Sequence, residues 1–273
     1  MQRKNNILIL TPVKDAAEDL ETYFENLTKL TYPHQLISIG LLEGDSRDCT
    51  FSMLQEKLPE LQRQFRKAGV WKKDFDFQIP ENTPRWAGKI QVQRRTVLAK
   101  SRNHLMFHAL ADEDWVLWLD VDVVAYPPDI IEQLLATGKE IVHPNCVREY
   151  GGPSYDLNAW RDKKKYHLHD LCEDGNLVEL HAVGGTMLLV KADIHRDGLI
   201  FPPFLYGTKN KRIRRTNFFF ANRKEMVTEL NRITANLRKG THRGEIETEG
   251  LGIMANDMGH ACWGMPNLEV KHK

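Results

Sequence analysis

Two aspartates stand one residue apart in Asp120-Val121-Asp122, directly after the apolar run Trp115-Val116-Leu117-Trp118-Leu119. That run reads as a buried strand, and ligands of open α/β sheets bind outside the carboxyl ends of the strands. Carboxylates at such an edge are costly unless something positive compensates them. In an extended segment residues i and i+2 point the same way, so Asp120 and Asp122 can converge on one cation. Carboxylate oxygens suit hard ions such as Mg²⁺ or Mn²⁺. An ion held there would neutralise a diphosphate, each charge pair at roughly 4 Å being worth about 4 kcal/mol at an effective dielectric near 20. The competing reading is that the aspartates cap the next helix or pair with local bases.

Four further groups carry chemistry. Gln91, Arg94, Arg95 and Arg102 lie on one predicted helix, and the seven-residue spacing of Arg95 and Arg102 puts both on one face. They form either a solvated basic face or a set of arginines reaching toward phosphates. Glu245, Glu247 and Glu249 alternate ahead of Gly250 and Gly252. They make a plain surface strand or helix start, or a loop offering carboxylates to sugar hydroxyls. His272 is one residue from the end of the chain, where fraying is the ordinary expectation. Lys209, Lys211, Arg212, Arg214 and Arg215 form a basic run flanked by Tyr206 and Phe218-Phe219-Phe220. It reads as a lid near the acceptor side or as a solvated loop.

The elements that must position these residues follow a parallel α/β pattern. Ile7-Leu8-Ile9-Leu10 is a first strand, broken by Thr11-Pro12. Leu20, Phe24 and Leu27 mark a helix. Leu36 to Leu42 is a second strand ending in the turn Glu43-Gly44-Asp45-Ser46, after which Asp48 or Thr50 caps a helix toward Leu58. Gly88 to Leu110 is a helix, with Val97, Ser101, Leu105 and Ala109 on one face. Pro127-Pro128-Asp129 opens a helix through Leu135. The pattern loosens from about Gly151, and Thr186 to Val190 restores a strand.

The chain has 273 residues, 41% hydrophobic and 27% charged, enough for a core. Its 38 Lys plus Arg nearly cancel 37 Asp plus Glu, which argues against a nucleic-acid partner. No run of 18 apolar residues exists, so no transmembrane helix is expected, and the N-terminus lacks a signal-peptide core. The four cysteines are scattered without a CxxC pair, which fits free thiols in a reducing compartment and neither a zinc site nor a disulfide scaffold.

Taken in order, these segments resemble the GT-A glycosyltransferases, and among them the fungal α-mannosyltransferases of mannan polymerase complexes, glycosyltransferase family sixty-two. The matching segments are Leu10 to Asp15, Leu30 to His34, Gly44 to Asp48, Arg94-Arg95 through Asn103, and Trp115 to Val123 followed by Pro127-Pro128. They continue with Tyr155-Asp156-Leu157-Asn158-Ala159-Trp160, Val183-Gly184-Gly185-Thr186, Glu247 to Gly252, and Pro266-Asn267 before His272.

The resemblance implies an α/β fold of GT-A type, a single Rossmann-like domain with a mixed central sheet over 1–273. Residues 1–125 would be its nucleotide-binding half and 126–273 its acceptor-binding half. It implies transfer of mannose from GDP-mannose to a glycan acceptor with retention, forming an α-mannosidic bond. The leaving phosphate oxygen would take the acceptor's proton, so no dedicated base is required. Mn²⁺ or Mg²⁺ would be held by Asp120, Asp122 and His272, with Asp120 alternatively on the ribose. Thr11, Pro12, Asp45, Arg95, Arg102, Asp120, Gly184 and Gly185 would line the donor, with Asp45 at the nucleoside and the glycines allowing close backbone approach. Glu247, Glu249 and Asp122 would be the catalytic acids. Two departures stand out. The family begins with a membrane anchor and stem that this chain lacks, so it is expected to be soluble and cytoplasmic as given, or in the Golgi lumen if an anchor is missing. The family's Glu-Asp acid pair is Glu247-Thr248-Glu249 here. Alternatives are a non-catalytic nucleotide-sugar-binding subunit of a complex, as a homo- or hetero-oligomer, and the same fold with a UDP-sugar donor.

Overall fold

A computed structural model describes residues 5–84, 87–162, 164–207 and 244–273. The basic run 209–215 and its aromatic flank 218–220 lie outside the described residues.

Among the described residues, nine strands form one mixed sheet. Strands β1 (Ile7–Val13), β2 (Ile37–Glu43), β3 (Lys67–Lys72) and β4 (Trp115–Leu119) are parallel, in the order β3-β2-β1-β4. The sheet continues through β8 (Met187–Lys191), β6 (Ile141–Val147), β9 (Cys262–His272) and β5 (Val123–Ala125), while β7 (Val178–Leu180) pairs with β9. β8 runs antiparallel to β4 and β6, whereas β9 is parallel to β6. The carboxyl ends of β1, β2, β4, β6 and β9 therefore meet the amino end of β8 at one edge. This is the expected α/β fold with a mixed central sheet.

Helices cover both faces. One core joins α1 (Leu20–Thr28), α2 (Thr50–Gln64) and α4 (Ile130–Ala136) to Ile7, Ile9, Leu117 and Leu119. On the other, α3 (Gly88–Ala109), α5 (Ala192–Arg196), α6 (Glu247–Asp257) and the 3-10 helix Leu168–Asp174 pack on Leu8, Leu10, Val116 and Trp118. Alternate residues of β1 and β4 thus feed opposite cores, which is why both strands read as continuously apolar.

Three expectations change. β1 continues through Thr11-Pro12, pairing Pro12 with Leu42. Its pairing with β4 ends at Leu10, so the missing N–H of Pro12 breaks no ladder bond on that side. α2 runs beyond Leu58 and through Pro59 to Gln64; its N-cap is Cys49 rather than Asp48 or Thr50, and Asp48 Oδ1, just ahead of it, accepts the Thr50 N–H at 3.0 Å. The C-terminal segment is not a loose end, because β9 lies inside the sheet between β6 and β5. None of the helices among the described residues is long and apolar enough to cross a membrane.

Candidate functional site

The acidic pair sits where β4 ends, but not in extended backbone. Residues 121–122 form a turn closed by the Val123 N–H on the Asp120 carbonyl at 3.3 Å. The two carboxylates consequently meet different partners, rather than converging by strand alternation. Asp120 Oδ1 accepts from Arg102 Nη2 at 2.9 Å, and the Asp120 N–H donates to the Thr186 carbonyl at 2.9 Å. Asp122 Oδ2 lies 3.1 Å from His272 Nε2.

His272 is ordered by its strand. It pairs with Val123 across β5 and β9, its ring lies tilted by 33° against Tyr155 with centroids 4.0 Å apart, and Nδ1 bonds the Lys273 carbonyl at 3.0 Å. The following Lys273 N–H donates to the Asp122 carbonyl at 3.0 Å, and its ammonium reaches Asp19 at 2.7 Å. Burial lowers the imidazole pKa, but the Asp122 carboxylate and the Lys273 carbonyl outweigh that and hold it above the usual value.

Arg102 and Arg95 share the face that their spacing implies, and both turn inward. The Arg102 guanidinium is 1% exposed and sits 5.6 Å from the Trp118 ring and 5.2 Å from that of Phe201. Besides Asp120 it donates to the Gly185 carbonyl at 3.2 Å, and its Nε lies 3.2 Å from Glu247 Oε1 without the alignment of a hydrogen bond. Arg95 donates to Glu249 Oε2 at 2.7 Å and to the Ile246 carbonyl.

Of the three acids ahead of Gly250, Glu247 and Glu249 open α6 and are buried, whereas Glu245 precedes the helix, half-buried in an antiparallel bridge with Tyr206. Glu247 and Glu249 are each 2% exposed. Glu249 is fully engaged, with Trp160 Nε1 and Lys164 Nζ both 2.8 Å from Oε1. Burial raises its pKa, but the bond to Lys164 and the charge of Arg95 carry it below the usual range. Glu247 holds φ of +60°, a conformation that costs a non-glycine residue about 1–3 kcal/mol. Its Oε2 accepts the Thr248 hydroxyl at 2.7 Å.

Negative charge is concentrated at this centre, only partly balanced by Arg102. Burial pushes the Asp120 pKa up to about 7; Arg102 opposes the rise, while Asp122, Asp156 and Glu247 add to it. Among the described residues no three His, Cys, Asp or Glu side chains gather as a ready metal cage. Asp122 and His272 offer one oxygen and one nitrogen donor, which fits an ion that takes its remaining ligands from phosphate and water. Thiolates are absent from this set, consistent with Mn²⁺ or Mg²⁺ rather than a softer ion.

Gly184 and Gly185 are glycines because this chain's own side chains crowd them. A Cβ on Gly184 would lie 2.3 Å from Asp156 Oδ2, and one on Gly185 2.4 Å from Thr248 Cγ2 and 2.9 Å from Arg102 Nη2. Asp45 stands apart from the acidic pair, at the end of β2. Its carboxylate accepts N–H groups of Phe75, at 3.1 Å, and Asp76, at 3.0 Å, tying the 74–78 segment to the β2 turn. The Thr11 hydroxyl is buried against Tyr23 Oη at 2.7 Å, and Pro12 follows it at the same edge.

The structure thus gathers Arg95, Arg102, Asp120, Gly185, Glu247 and Glu249 in one network, with Asp122 and His272 beside it and Asp45, Thr11 and Pro12 farther along the edge. Site-lining residues with no role assigned from sequence are Tyr155, Asp156, Trp160 and Lys164. Three lie in or next to the Tyr155–Trp160 motif, whose buried polar contacts have no periodic signature.

The Anp1 family model matches residues 1–174 and 164–205. The mannan polymerase II complex anp1 subunit of Schizosaccharomyces pombe is 28% identical over 98% of this chain and 64% of that protein. The mannan polymerase complex subunit MNN9 of Candida albicans is 28% identical over all of this chain and 76% of that protein. The Saccharomyces cerevisiae mannan polymerase II complex ANP1 subunit is 32% identical over 75% of this chain and 49% of its own length. The chain therefore spans less than two thirds of the fission-yeast relative. Among solved structures, the mannosyltransferase PcManGT from Pyrobaculum calidifontis, in complex with GDP-Man and Mn²⁺, aligns over 75% of this chain and 49% of its own. The identity is 14% and the TM-score 0.49.

Proposed function

The chain belongs to the Anp1 family, and on that premise we propose that it is a metal-dependent retaining glycosyltransferase using GDP-mannose as donor. It transfers mannose to a glycan acceptor and forms an α-mannosidic bond. The observation that carries this reading is the Asp122–His272 pair, 3.1 Å apart, at the sheet edge where Asp120 is pressed by three other carboxylates.

In this reading Asp122 and His272 would hold Mn²⁺ or Mg²⁺, with Asp120 beside them to contact metal-bound water or the ribose. A bound divalent ion supplies positive charge to the donor's diphosphate and makes it a better leaving group. The rest is done by the chain. Arg102 keeps Asp120 in place, and Arg95 with Lys164 and Trp160 keeps Glu249 fixed and ionised. Both oxygens of Glu249 are already bonded, so it orients the site, and Glu247, whose Oε1 accepts no hydrogen bond, is the acid we assign to the sugar. Asp45, Thr11 and Pro12 serve the nucleoside end. Residues 1–125 would form the nucleotide-binding half and 126–273 the acceptor-binding half, with His272 crossing back to the first. Catalysis comes from alignment of the acceptor hydroxyl and from electrostatic support of the departing phosphate, whose oxygen takes the proton on the same face.

The relatives are named as subunits of complexes, which favours a second reading, a non-catalytic nucleotide-sugar-binding subunit within a hetero-oligomer. One experiment separates the readings. Mannose release from GDP-mannose with Mn²⁺, measured beside calorimetric titration of GDP and UDP, should show metal-dependent turnover and preferential GDP binding. Asp122→Ala should weaken metal-dependent GDP binding by at least about 100-fold, the loss of a buried charged contact at a ligand. Binding without turnover in the presence of acceptor glycans favours the subunit reading; preferential UDP binding overturns the choice of donor. Unchanged GDP affinity in Asp122→Ala removes the metal site from this pair.

A further inference from the structure

Asp156 lies in the stretch between β6 and β7 and belongs to none of the roles above. One of its oxygens, Oδ2, accepts three hydrogen bonds: the Gly185 N–H at 2.9 Å, the Thr186 N–H at 3.2 Å and the Thr186 hydroxyl at 2.7 Å. Its other oxygen accepts the Asn158 N–H at 3.1 Å. Neither Gly185 nor Thr186 has yet joined β8, so no strand ladder fixes these two residues. Their carbonyls are the groups that reach the centre. The Gly185 carbonyl takes Arg102 Nη1 at 3.2 Å, and the Thr186 carbonyl takes the Asp120 N–H at 2.9 Å. Arg102 closes the circuit on Asp120 Oδ1 at 2.9 Å. Asp156 thus grips the N–H side of a dipeptide whose C=O side holds both the backbone of Asp120 and its guanidinium partner.

We propose that Asp156 is a positioning residue, clamping Gly185-Thr186 so that Asp120 and Arg102 are set before donor and metal arrive. The proposal rests on the functional reading above, in which Asp120 serves the donor diphosphate and its ion. The neighbouring glycine agrees with it: a Cβ at 184 would stand 2.3 Å from Asp156 Oδ2, so the carboxylate approaches the main chain only because position 184 has no side chain. A charge-assisted clamp is stronger than a neutral one, and supporting contacts of this kind change metal affinity by about 10–100-fold when removed.

The test pairs two measurements on the whole chain. Hydrogen exchange of the Gly185 and Thr186 amides is followed in the ligand-free protein, and Mn²⁺ with GDP is titrated calorimetrically. Asp156→Asn should speed exchange at both amides and weaken Mn²⁺-dependent GDP binding by about tenfold or more. Thr186→Val, which removes one of the three donors and leaves the backbone, should weaken the same binding about threefold, and Thr186→Ser should restore it. The Val and Ser pair keeps the proposal testable should Asp156→Asn not fold. Unchanged exchange in Asp156→Asn overturns the clamp. Faster exchange with unchanged binding leaves a structural bond only and overturns the positioning role. Should the native chain bind neither GDP nor UDP with Mn²⁺, the functional reading falls and the positioning role with it, while the exchange result still reports on the clamp by itself.

Discussion

At the scale of single residues, the imidazole of His272 links protonation, stability and metal binding. Its pKa in the folded chain lies above the ordinary value of 6.5 because Asp122 outweighs the effect of burial. A raised pKa means that the folded state holds the proton more tightly than the unfolded one. The contribution of the pair is therefore complete below pH 6.5 and disappears as pH climbs through the folded value. The melting-temperature difference between the native chain and His272→Gln, taken without metal, should be largest near pH 6 and shrink toward pH 8. Metal binding runs the other way, since a ligating imidazole must lose its proton, so Mn²⁺-dependent GDP affinity should rise over the same interval. A melting difference that grows with pH would show that His272 is not paired as an imidazolium. The family resemblance sets both residues on one ion; spacing alone could not pair them, since 150 positions separate them.

At the scale of elements, close contact between three of them explains the glycine at 185, while Asp156 crowds Gly184. α3 delivers Arg102, α6 delivers Thr248, and the segment before β8 passes between them with no room for a methyl group. Gly185→Ala should cost about 1–3 kcal/mol, the range for overpacking a filled interior. It should also displace the Arg102 guanidinium from Asp120, so GDP binding with Mn²⁺ should weaken more than stability alone predicts. Chemical denaturation and calorimetry on the same variant check both parts; a variant as stable as the native chain would mean that Thr248 and Arg102 move aside freely. Elements are legible in the sequence where apolar residues keep one pattern along them. The helix expected over Gly88 to Leu110 spans Gly88–Ala109, and the strand at Trp115 to Leu119 is reproduced in full. β6 leaves no strand signal because Ile141–Val147 carries His143, Pro144 and Asn145 in its middle, polar or strand-breaking types that are nonetheless buried.

For the whole molecule, the tail of the chain is a structural member. β9 is flanked by β6 and β5, and its last residues bring His272 and Lys273 to Asp122. Truncation after Lys271 leaves most of that strand in place and removes the imidazole together with the Lys273 contacts to Asp122 and Asp19. The melting temperature should fall by only a few degrees, roughly 2–4 °C per kcal/mol lost for a chain somewhat smaller than this. Mn²⁺-dependent GDP affinity should drop by about tenfold or more, as for other losses around a metal. Differential scanning calorimetry and titration separate the two effects, and native metal dependence in the truncated chain would remove His272 from the ligand set.

By itself the sequence determined the α/β class, the principal helices and strands of the first half, the acidic pair at the end of a buried strand, and the shared face of Arg95 and Arg102. These are local properties, carried by apolar periodicity and by spacing along one element. Only the tertiary structure decided what each charged group meets. Asp120 and Asp122 part company because the chain turns after Leu119, Glu247 and Glu249 are buried because α6 packs on α3, and Asp156 acquires its role from residues 29 and 30 positions away. Burial makes an unpaired charge expensive, so each of these groups had to find a partner from a distant segment. Which partner it found depended on the order of strands in the sheet, a property that no local pattern records.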